Sequence, residues 1–213
     1  MTGRWTLLLV AVALTSAVLH LRAEYGGGRW VVYLCKPLTT GLILLIAALR
    51  PAPAGSLYHT AVLAGLVCSL AGDVFLMLPR DRFIPGLASF LTAHLCYIVA
   101  FSSGTRLGFS PWTTLPLVVY AALLLIILWP RLGKMKGPVL LYIAVILAMA
   151  WRALCRWEQM GTTGALLAAV GALLFVASDS ALALDRFRKP FASAQLLILG
   201  TYYPAQMLIA LSA

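Results

Sequence analysis

Two aspartates, Asp73 and Asp179, interrupt apolar stretches that are otherwise long enough to cross a membrane. A carboxylate in hydrocarbon is costly unless it is neutralised, paired or solvated, and ionisable residues in such positions usually mark a functional site. The chain contains only six acidic residues, so two in apolar stretches need an explanation. We therefore take Asp73 and Asp179 as candidate catalytic residues. The alternative is a structural role, in an ion pair with Lys36 or in hydrogen bonds between helices.

Two buried carboxyl groups within reach of each other provide both an acid and a base. They cannot both ionise easily, because burial and mutual repulsion each disfavour the second charge. One aspartate is then expected to hold a proton near neutral pH while the other stays ionised. This division suits a hydrolysis that begins with proton donation.

Further polar residues in apolar stretches are candidates for substrate binding. Lys36 offers a point charge for a phosphate group, or it extends its amine toward the membrane surface. His94 is a candidate general acid or hydrogen-bond partner, with a packing role as the alternative. The remaining candidates are Tyr97, Ser178, Tyr202, Tyr203 and Gln206. The histidines form no HxxxH or HxxE pattern, so we expect no zinc site.

Composition places these residues in an integral membrane protein. Of the 213 residues, 62% are hydrophobic and only 10% are charged, whereas soluble domains average about 25% charged residues. The net charge of +10 does not indicate nucleic-acid binding, because the basic residues are spread over short segments between apolar runs. We predict a single all-α membrane domain over residues 1–213.

Eight apolar segments have the length of a membrane span, which needs about 20 mostly apolar residues. They cover residues 5–21, 31–49, 58–79, 84–102, 111–129, 138–155, 163–184 and 191–212. The segments between them carry Gly, Pro or charged residues, which are typical of loops. The boundaries after Arg152 and before Trp112 are the least sharply marked.

An excess of positive charge predicts the orientation of the spans. Ten Arg and Lys residues lie in loops one, three, five and seven, against five on the opposite side. The more positive side of a membrane protein faces the cytoplasm, so both termini are expected outside the cytoplasm. Asp73 and Asp179 would lie roughly 9 Å inside the cytoplasmic ends of their helices, and Lys36 would lie at a similar depth.

The surroundings of the two aspartates are alike, which predicts an internal repeat. They are 106 positions apart, and each is followed by Leu three residues later and by a DRF triplet where the next loop begins. The same offset pairs Tyr97 with Tyr203. We predict two parallel four-helix halves, residues 1–104 and 105–213, related by an axis along the membrane normal. Asp73 and Asp179 would then face each other at one depth.

Five stretches of the chain resemble the lysoplasmalogenase family, also named the YhhN or transmembrane protein 86 family. They read KPLTTG, AGDVFLMLP, GLASFLTAHLCYIVAF, GALLFVASDSALALDRF and TYYPAQMLIALSA, in the family's order over nearly the whole chain. The resemblance implies a membrane hydrolase that cleaves the vinyl ether bond of lysoplasmalogens, with Asp73 and Asp179 as the catalytic pair. The products would be a fatty aldehyde and glycerophosphoethanolamine or glycerophosphocholine. The short chain looks more like bacterial than animal members, so we expect a bacterial inner membrane rather than the endoplasmic reticulum.

The implied reaction assigns different tasks to the two aspartates. A neutral aspartate would protonate the β-carbon, and an ionised one would stabilise the oxocarbenium ion and activate water, in the manner of paired glycosidase carboxylates. The reaction requires no metal or cofactor. The Ser178 hydroxyl is expected to help keep Asp179 ionised, which favours Asp73 as the acid. The lipid chain is expected to pass Tyr97 and Tyr203, with Lys36 near the phosphate.

Other functions stay open on the sequence alone. A lipid or small-molecule transporter, such as a flippase, also has intramembrane polar residues and can have a parallel repeat, although here the polar residues concentrate near one face. Intramembrane aspartyl proteases resemble a GxGD pattern, but the chain reads LAGD, with Leu70 in place of the first Gly. A purely structural or interaction protein is a further alternative.

Overall fold

Eight α-helices make up most of the described chain. The computed structural model describes residues 2–53, 56–79, 82–108 and 110–213, with side chains from Trp5 onward. Within these ranges the helices are α1 Thr2–Gly26, α2 Arg29–Ala48, α3 Leu57–Met77, α4 Phe83–Ser102, α5 Pro111–Leu128, α6 Lys136–Met160, α7 Thr163–Ala183 and α8 Ala194–Ser212. Each helix lies in a span that is long and apolar enough to cross a membrane. The predicted all-α class and the number of spans are confirmed for a multi-pass membrane protein.

Part of the predicted charge pattern lies outside the described residues. Arg80 and Asp81, which contribute to the charge bias and to the first DRF triplet, are not among them, and neither is the side chain of Arg4. The orientation in the membrane therefore stays a prediction that depends on the sequence.

The sixth helix is longer than predicted. It continues to Met160, five residues beyond the predicted end of the span at residue 155, and the break follows at Gly161. Arg152 is only 3% exposed. Its guanidinium donates hydrogen bonds to Ser102 Oγ (2.9 Å), to Thr105 Oγ1 (2.7 Å) and to the backbone oxygen of Arg106 (3.4 Å). Because these acceptors at the end of α4 satisfy the charged group inside the bundle, the charge does not end the helix.

Local sequence signals set several helix ends. The Ser56 hydroxyl accepts a hydrogen bond from the backbone three residues later at the start of α3, and Thr162 does the same at the start of α7. Such caps stabilise the first turn of a helix. α6 is followed by Gly161 with φ of 61°, a left-handed conformation that glycine adopts without strain. A turn of π-helix, Leu184–Arg188, extends α7 into its loop.

The helices pack mainly as pairs that are neighbours in sequence. α1 packs on α2, α3 on α4 and α7 on α8, while α6 contacts α4 and α7, and α2 contacts α3 and α8. α5 lies at the edge, against α6, the short turn that follows α5, and the π-turn after α7. Most of these pairings agree with the predicted repeat, which itself stays a prediction. The connections α1–α2, α3–α4, α5–α6 and α7–α8 lie at one end of the bundle, named here the odd-loop end.

Apolar side chains cover the outside of the bundle and aromatic rings fill its centre. Trp30 and Trp112, in the first turns of α2 and α5, are 86% and 88% exposed, as is typical of tryptophans at a membrane interface. Inside, Phe90, Phe175 and Tyr202 join α4, α7 and α8 through edge-to-face contacts with ring centroids 5.5–6.2 Å apart. This aromatic cluster holds together the helices that carry the candidate site.

The contact between α7 and α8 depends on a glycine. A Cβ atom at Gly171 would lie 2.9 Å from the backbone oxygen of Ala205 and 2.9 Å from the side chain of Ile209. The nearest atom on α8 belongs to the backbone, so it cannot yield without separating the two helices. Gly171 therefore permits the close approach that positions Asp179 of α7 relative to Tyr202 of α8.

We predict that Gly171→Ala lowers the stability of the protein by about 1–3 kcal/mol, the usual range for overpacking a close interface. Thermal unfolding in detergent measures this. The matched control is Gly200→Ala in α8, where no atom lies within 4 Å of the added Cβ and alanine favours the helix. Equal melting temperatures for the two variants would contradict the tight α7–α8 contact.

Candidate functional site

A polar cavity of about 600 Å³ lies at the odd-loop end of the bundle. Asp73 and Asp179 both line it, so the structure brings the two candidate catalytic residues to one space. Each aspartate lies four residues before the last residue of its helix, α3 or α7. The charged residues around the cavity are Glu24, Arg29, Lys36, Asp73, Arg82, Asp179, Asp185 and Arg186. The cavity thus offers both carboxyl groups and a basic rim to one ligand.

Asp73 lies in surroundings that stabilise an ionised carboxylate. Its side chain is 1% exposed, and its Oδ2 accepts hydrogen bonds from the hydroxyls of Thr40 (2.6 Å) and Tyr202 (2.7 Å). The ammonium nitrogen of Lys36 is 3.8 Å from Oδ1. Hydrogen bonds donated to a carboxylate and a cation nearby both favour its charged form. The ion pair with Lys36, which the sequence analysis gave as the structural alternative for the aspartates, is present for Asp73.

Asp179 lies in surroundings of a different kind. Its Oδ2 accepts a short hydrogen bond from the hydroxyl of Tyr142 on α6. The other close group is His94 on α4, whose Nε2 is 3.4 Å from the same oxygen. Lys36 makes its ion pair with Asp73 instead. Although its side chain is 13% exposed, Asp179 has no cation among these neighbours, so it is better suited than Asp73 to hold a proton.

The position of the proton on His94 follows from its other contact. Nδ1 of His94 is 2.6 Å from the backbone oxygen of Phe90, and a carbonyl oxygen only accepts, so Nδ1 carries a hydrogen. Nε2 is buried and has no hydrogen-bond partner among the described residues. In a neutral imidazole this nitrogen presents a lone pair, which faces Asp179. A proton on either atom would join the two, so His94 and Asp179 are arranged to share one proton.

The offset that relates the two aspartates also relates their partners. Lys36 and Tyr142 are 106 positions apart, as Asp73 and Asp179 are. Lys36 contacts Asp73 and Tyr142 contacts Asp179. One position thus carries an ammonium group in the first half and a phenol in the second. This difference gives the two aspartates unequal environments, and it agrees with the predicted repeat.

Ser178 does not act on Asp179 as expected. Its hydroxyl donates a hydrogen bond of 3.0 Å to the backbone oxygen of Ile198 on α8. The hydroxyl was the sequence-based reason for an ionised Asp179 and for Asp73 as the acid. That reason is removed, and the contacts of the two carboxyl groups favour the opposite assignment.

Four of the candidate substrate-binding residues lie away from the cavity wall, and one of them is His94, which lies behind Asp179. Tyr97 is fully buried and donates a hydrogen bond of 2.8 Å to Oε1 of Gln206, which joins α4 to α8. Tyr203 is hydrogen-bonded at 2.6 Å to Nδ1 of His20 on α1. None of these three residues lines the polar cavity and neither does His94, whereas Lys36, Ser178 and Tyr202 do. The lipid path expected past Tyr97 and Tyr203 therefore has no opening beside the two aspartates.

The sequence interpretation did not include several residues that complete the site. Thr40 and Tyr142 each donate directly to a candidate catalytic carboxyl group. Both residues could have been found from their spacing to Lys36. Thr40 follows Lys36 by four residues on the same helix face, and Tyr142 lies 106 positions after Lys36, at the offset of the predicted repeat. His20 links Tyr203 to Glu24 on the cavity wall through ring contacts of 2.6 and 3.1 Å, and its position at a helix end gave no indication of this.

Fold and site together define a polytopic membrane protein with a pair of unequal carboxyl groups in a polar cavity at one end of the bundle. A family model described as the YhhN family matches residues 31–213 of the chain. The chain therefore belongs to the YhhN family, which confirms the resemblance seen in its sequence motifs.

Curated relatives include both bacterial and animal proteins. The uncharacterized membrane protein YhhN of Escherichia coli O157:H7 is 35% identical over 205 residues, which cover 96% of each chain. The human lysoplasmalogenase TMEM86B is 43% identical over 160 residues, which cover 73% of this chain and 64% of the human protein. The bovine lysoplasmalogenase TMEM86A is 41% identical over 162 residues, which cover 72% of this chain and 65% of that protein. No solved structure matches the chain.

Proposed function

We propose that this protein is a lysoplasmalogenase, a membrane hydrolase that cleaves the vinyl ether bond of a single-chain phospholipid to give a fatty aldehyde and a glycerophospho-alcohol. The names of the animal relatives support this activity. The observation that carries the proposal is the unequal pair in one cavity. Asp73 lies beside an ammonium group and two hydroxyls, while Asp179 lies beside a phenol and an unpaired imidazole nitrogen.

Proton transfer to carbon is the first step of the proposed reaction. A vinyl ether is cleaved when an acid protonates its β-carbon, and Asp179 in its neutral form is the group suited to donate that proton. A carboxyl group that is neutral near physiological pH combines a usable proton with a conjugate base of moderate strength. Tyr142 holds the Asp179 side chain through a hydrogen bond to Oδ2, which orients the carboxyl group for transfer, and Nε2 of His94 lies 3.4 Å from the same oxygen.

Capture of the cation is the second step. Protonation at the β-carbon leaves an oxocarbenium ion at the α-carbon, next to the ether oxygen. The ionised Asp73 stabilises this positive charge and accepts a proton from the attacking water, as the second carboxylate of a glycosidase does. Water adds its oxygen to the α-carbon, and the hemiacetal collapses to an aldehyde and an alcohol. Thr40 and Tyr202 keep the Asp73 carboxylate in place through hydrogen bonds to Oδ2.

The head group of the lipid fits the basic part of the same cavity. Arg29, Lys36 and Arg82 line it together with the two aspartates, and such side chains bind phosphate oxygens. If the positive side of the protein faces the cytoplasm, the cavity opens toward the cytoplasmic leaflet. A single-chain phospholipid in that leaflet would place its phosphate at the rim and its ether linkage deeper, beside the aspartates.

Lipid transport is the second candidate function, since a polar intramembrane cavity also suits a transporter. A carboxyl group arranged to share a proton with histidine favours chemistry, because transport of a zwitterionic lipid needs no acid. Release of aldehyde by purified protein in detergent separates the two functions, since transport requires a sealed membrane.

We predict that Asp73→Asn and Asp179→Asn each lower kcat by at least about 100-fold, because each removes one of the two groups that transfer protons. Aldehyde release from a lysoplasmalogen by purified protein measures this, with mass spectrometry to identify the products. Size-exclusion profiles and melting temperatures should stay close to those of the parent protein, since the amide is nearly the same size as the acid.

The matched control is Asp185→Asn, six residues after Asp179. Asp185 accepts a hydrogen bond of 3.1 Å from the backbone N–H of Phe191, which an amide oxygen can also accept, so kcat should change little. Near-normal rates for Asp73→Asn or Asp179→Asn would exclude the paired mechanism. Absence of aldehyde from the parent protein with every lysoplasmalogen tested would exclude the activity.

Lys36→Met separates lipid binding from chemistry. We predict that it raises KM by about tenfold or more, the effect of one charged hydrogen bond to phosphate, and lowers kcat less. Lys36→Arg, which keeps the charge, should retain most of the affinity. A fall in kcat at unchanged KM would instead mean that Lys36 acts mainly through the charge of Asp73.

A further inference from the structure

A second, apolar cleft adjoins the polar cavity at Asp179. It lies between α4, α5, α6 and α7. Its lining is apolar except for Tyr120, Tyr142, Asp179 and Ser180, which are hydrogen-bonded in pairs, Tyr120 to Ser180 and Tyr142 to Asp179. Such a cleft has no free polar group to hold water or a polar ligand, other than at the end where Asp179 lies.

Asp179 belongs to the walls of both spaces, as do Leu76, Phe83, Phe90 and Leu182. The two spaces are therefore continuous in their lining, one polar and one apolar, with the candidate acid at their junction. A single-chain phospholipid has the same order of parts, with a charged head group, a reactive linkage and a hydrocarbon chain. The junction is where the linkage of such a lipid would lie.

The cleft continues from Asp179 into the membrane interior. Val176 precedes Asp179 by about one turn of α7, and Ile146 follows Tyr142 by about one turn of α6. Both residues line the cleft and are buried, with exposures of 6% and 4%. α7 and α6 run in opposite directions, so both residues lie on the side of Asp179 that is further from the odd-loop end.

One loosely held helix separates the cleft from the surrounding lipid. Only Leu124 and Leu128 are buried among the residues of α5, and α5 packs chiefly on α6 and on the turns at the odd-loop end. The hydroxyl of Tyr120 on α5 donates a hydrogen bond of 2.7 Å to Ser180 on α7. The cleft holds only about 50 Å³, against about 600 Å³ for the polar cavity, so it has to widen before a hydrocarbon chain can enter it.

We propose that this cleft is the binding site for the hydrocarbon chain of the lipid, which enters sideways from the bilayer past α5. The proposal rests on the proposed function for the identity of the head group and the linkage. It assigns Ile146, Val176 and Leu124 to the recognition of chain length. It also explains why α5 packs at the periphery of the bundle, because a helix that covers a lipid entrance has to separate from its neighbours.

Blocking the deep part of the cleft tests the proposal. We expect Ile146→Trp to lower kcat/KM for a lysoplasmalogen with an octadecenyl chain by about tenfold or more, the scale set by a pocket that loses room for a few methylenes. Hydrolysis of the butenyl analogue, whose chain ends before it reaches the depth of Ile146, should stay within about twofold of the parent protein. The matched control is Leu141→Trp on the same helix, where the side chain is 55% exposed, and it should affect neither substrate.

Equal effects of Ile146→Trp on the two substrates, or no effect on either, would overturn the chain site. If the tryptophan variant fails to fold, Val176→Phe fills the same part of the cleft from α7 and gives the same comparison.

A binding measurement distinguishes failure of the chain site from failure of the proposed function. Saturated ether lysophospholipids, which are not cleaved, should raise the melting temperature of the parent protein more for an octadecyl than for an octyl chain. Ile146→Trp should abolish that difference, and a difference that persists in this variant contradicts the cleft as the chain site.

Discussion

The free-energy cost of placing carboxyl groups inside an apolar bundle determines which side chains surround Asp73 and Asp179 at the odd-loop end of this protein. An unpaired carboxylate in this setting is strongly unfavourable, so each aspartate must acquire partners or keep its proton. Asp73 acquires an ammonium group and two hydroxyls. Asp179 has a phenol and a histidine that can share its proton. Three helices that line the cavity supply these partners, α2 and α8 for Asp73 and α4 for Asp179, while α6 supplies Tyr142 from outside the cavity wall.

Two positions that correspond in the predicted repeat carry side chains of different chemistry. Lys36 and Tyr142 each contact the aspartate of their own half, at the same sequence offset. Had both positions carried lysine, both aspartates would be stabilised as carboxylates, and no acid would remain. Had both carried tyrosine, neither would have a cation. Under the predicted repeat, this difference in side chain contributes to the unequal environments of Asp73 and Asp179 on which the proposed acid and base depend.

Sequence reasoning succeeded where a feature depends on composition along one helix. The eight spans follow from apolar length, and Asp73, Asp179 and Lys36 stand out because charge is rare in such spans. It failed where a side chain depends on a partner from another helix. The sixth span was predicted to end at residue 155, but α6 continues to Met160, and acceptors from the end of α4 and the segment after it accommodate Arg152 inside the bundle. Ser178 looked like a partner of Asp179, yet successive helix residues point in different directions, and its hydroxyl reaches α8 instead. The apolar cleft could not be predicted at all, because it arises from the peripheral position of α5.

Which aspartate holds the proton is the central question, and infrared spectroscopy of purified protein with isotope-labelled aspartate answers it directly. A protonated carboxyl group gives a carbonyl stretch that a carboxylate lacks, and the isotope assigns it to aspartate. At neutral pH we expect this band in the parent protein and in Asp73→Asn, and we expect its loss in Asp179→Asn. A band that persists in Asp179→Asn and disappears in Asp73→Asn would reverse the assignment of acid and base, and absence of the band from the parent protein would contradict a shared proton at Asp179.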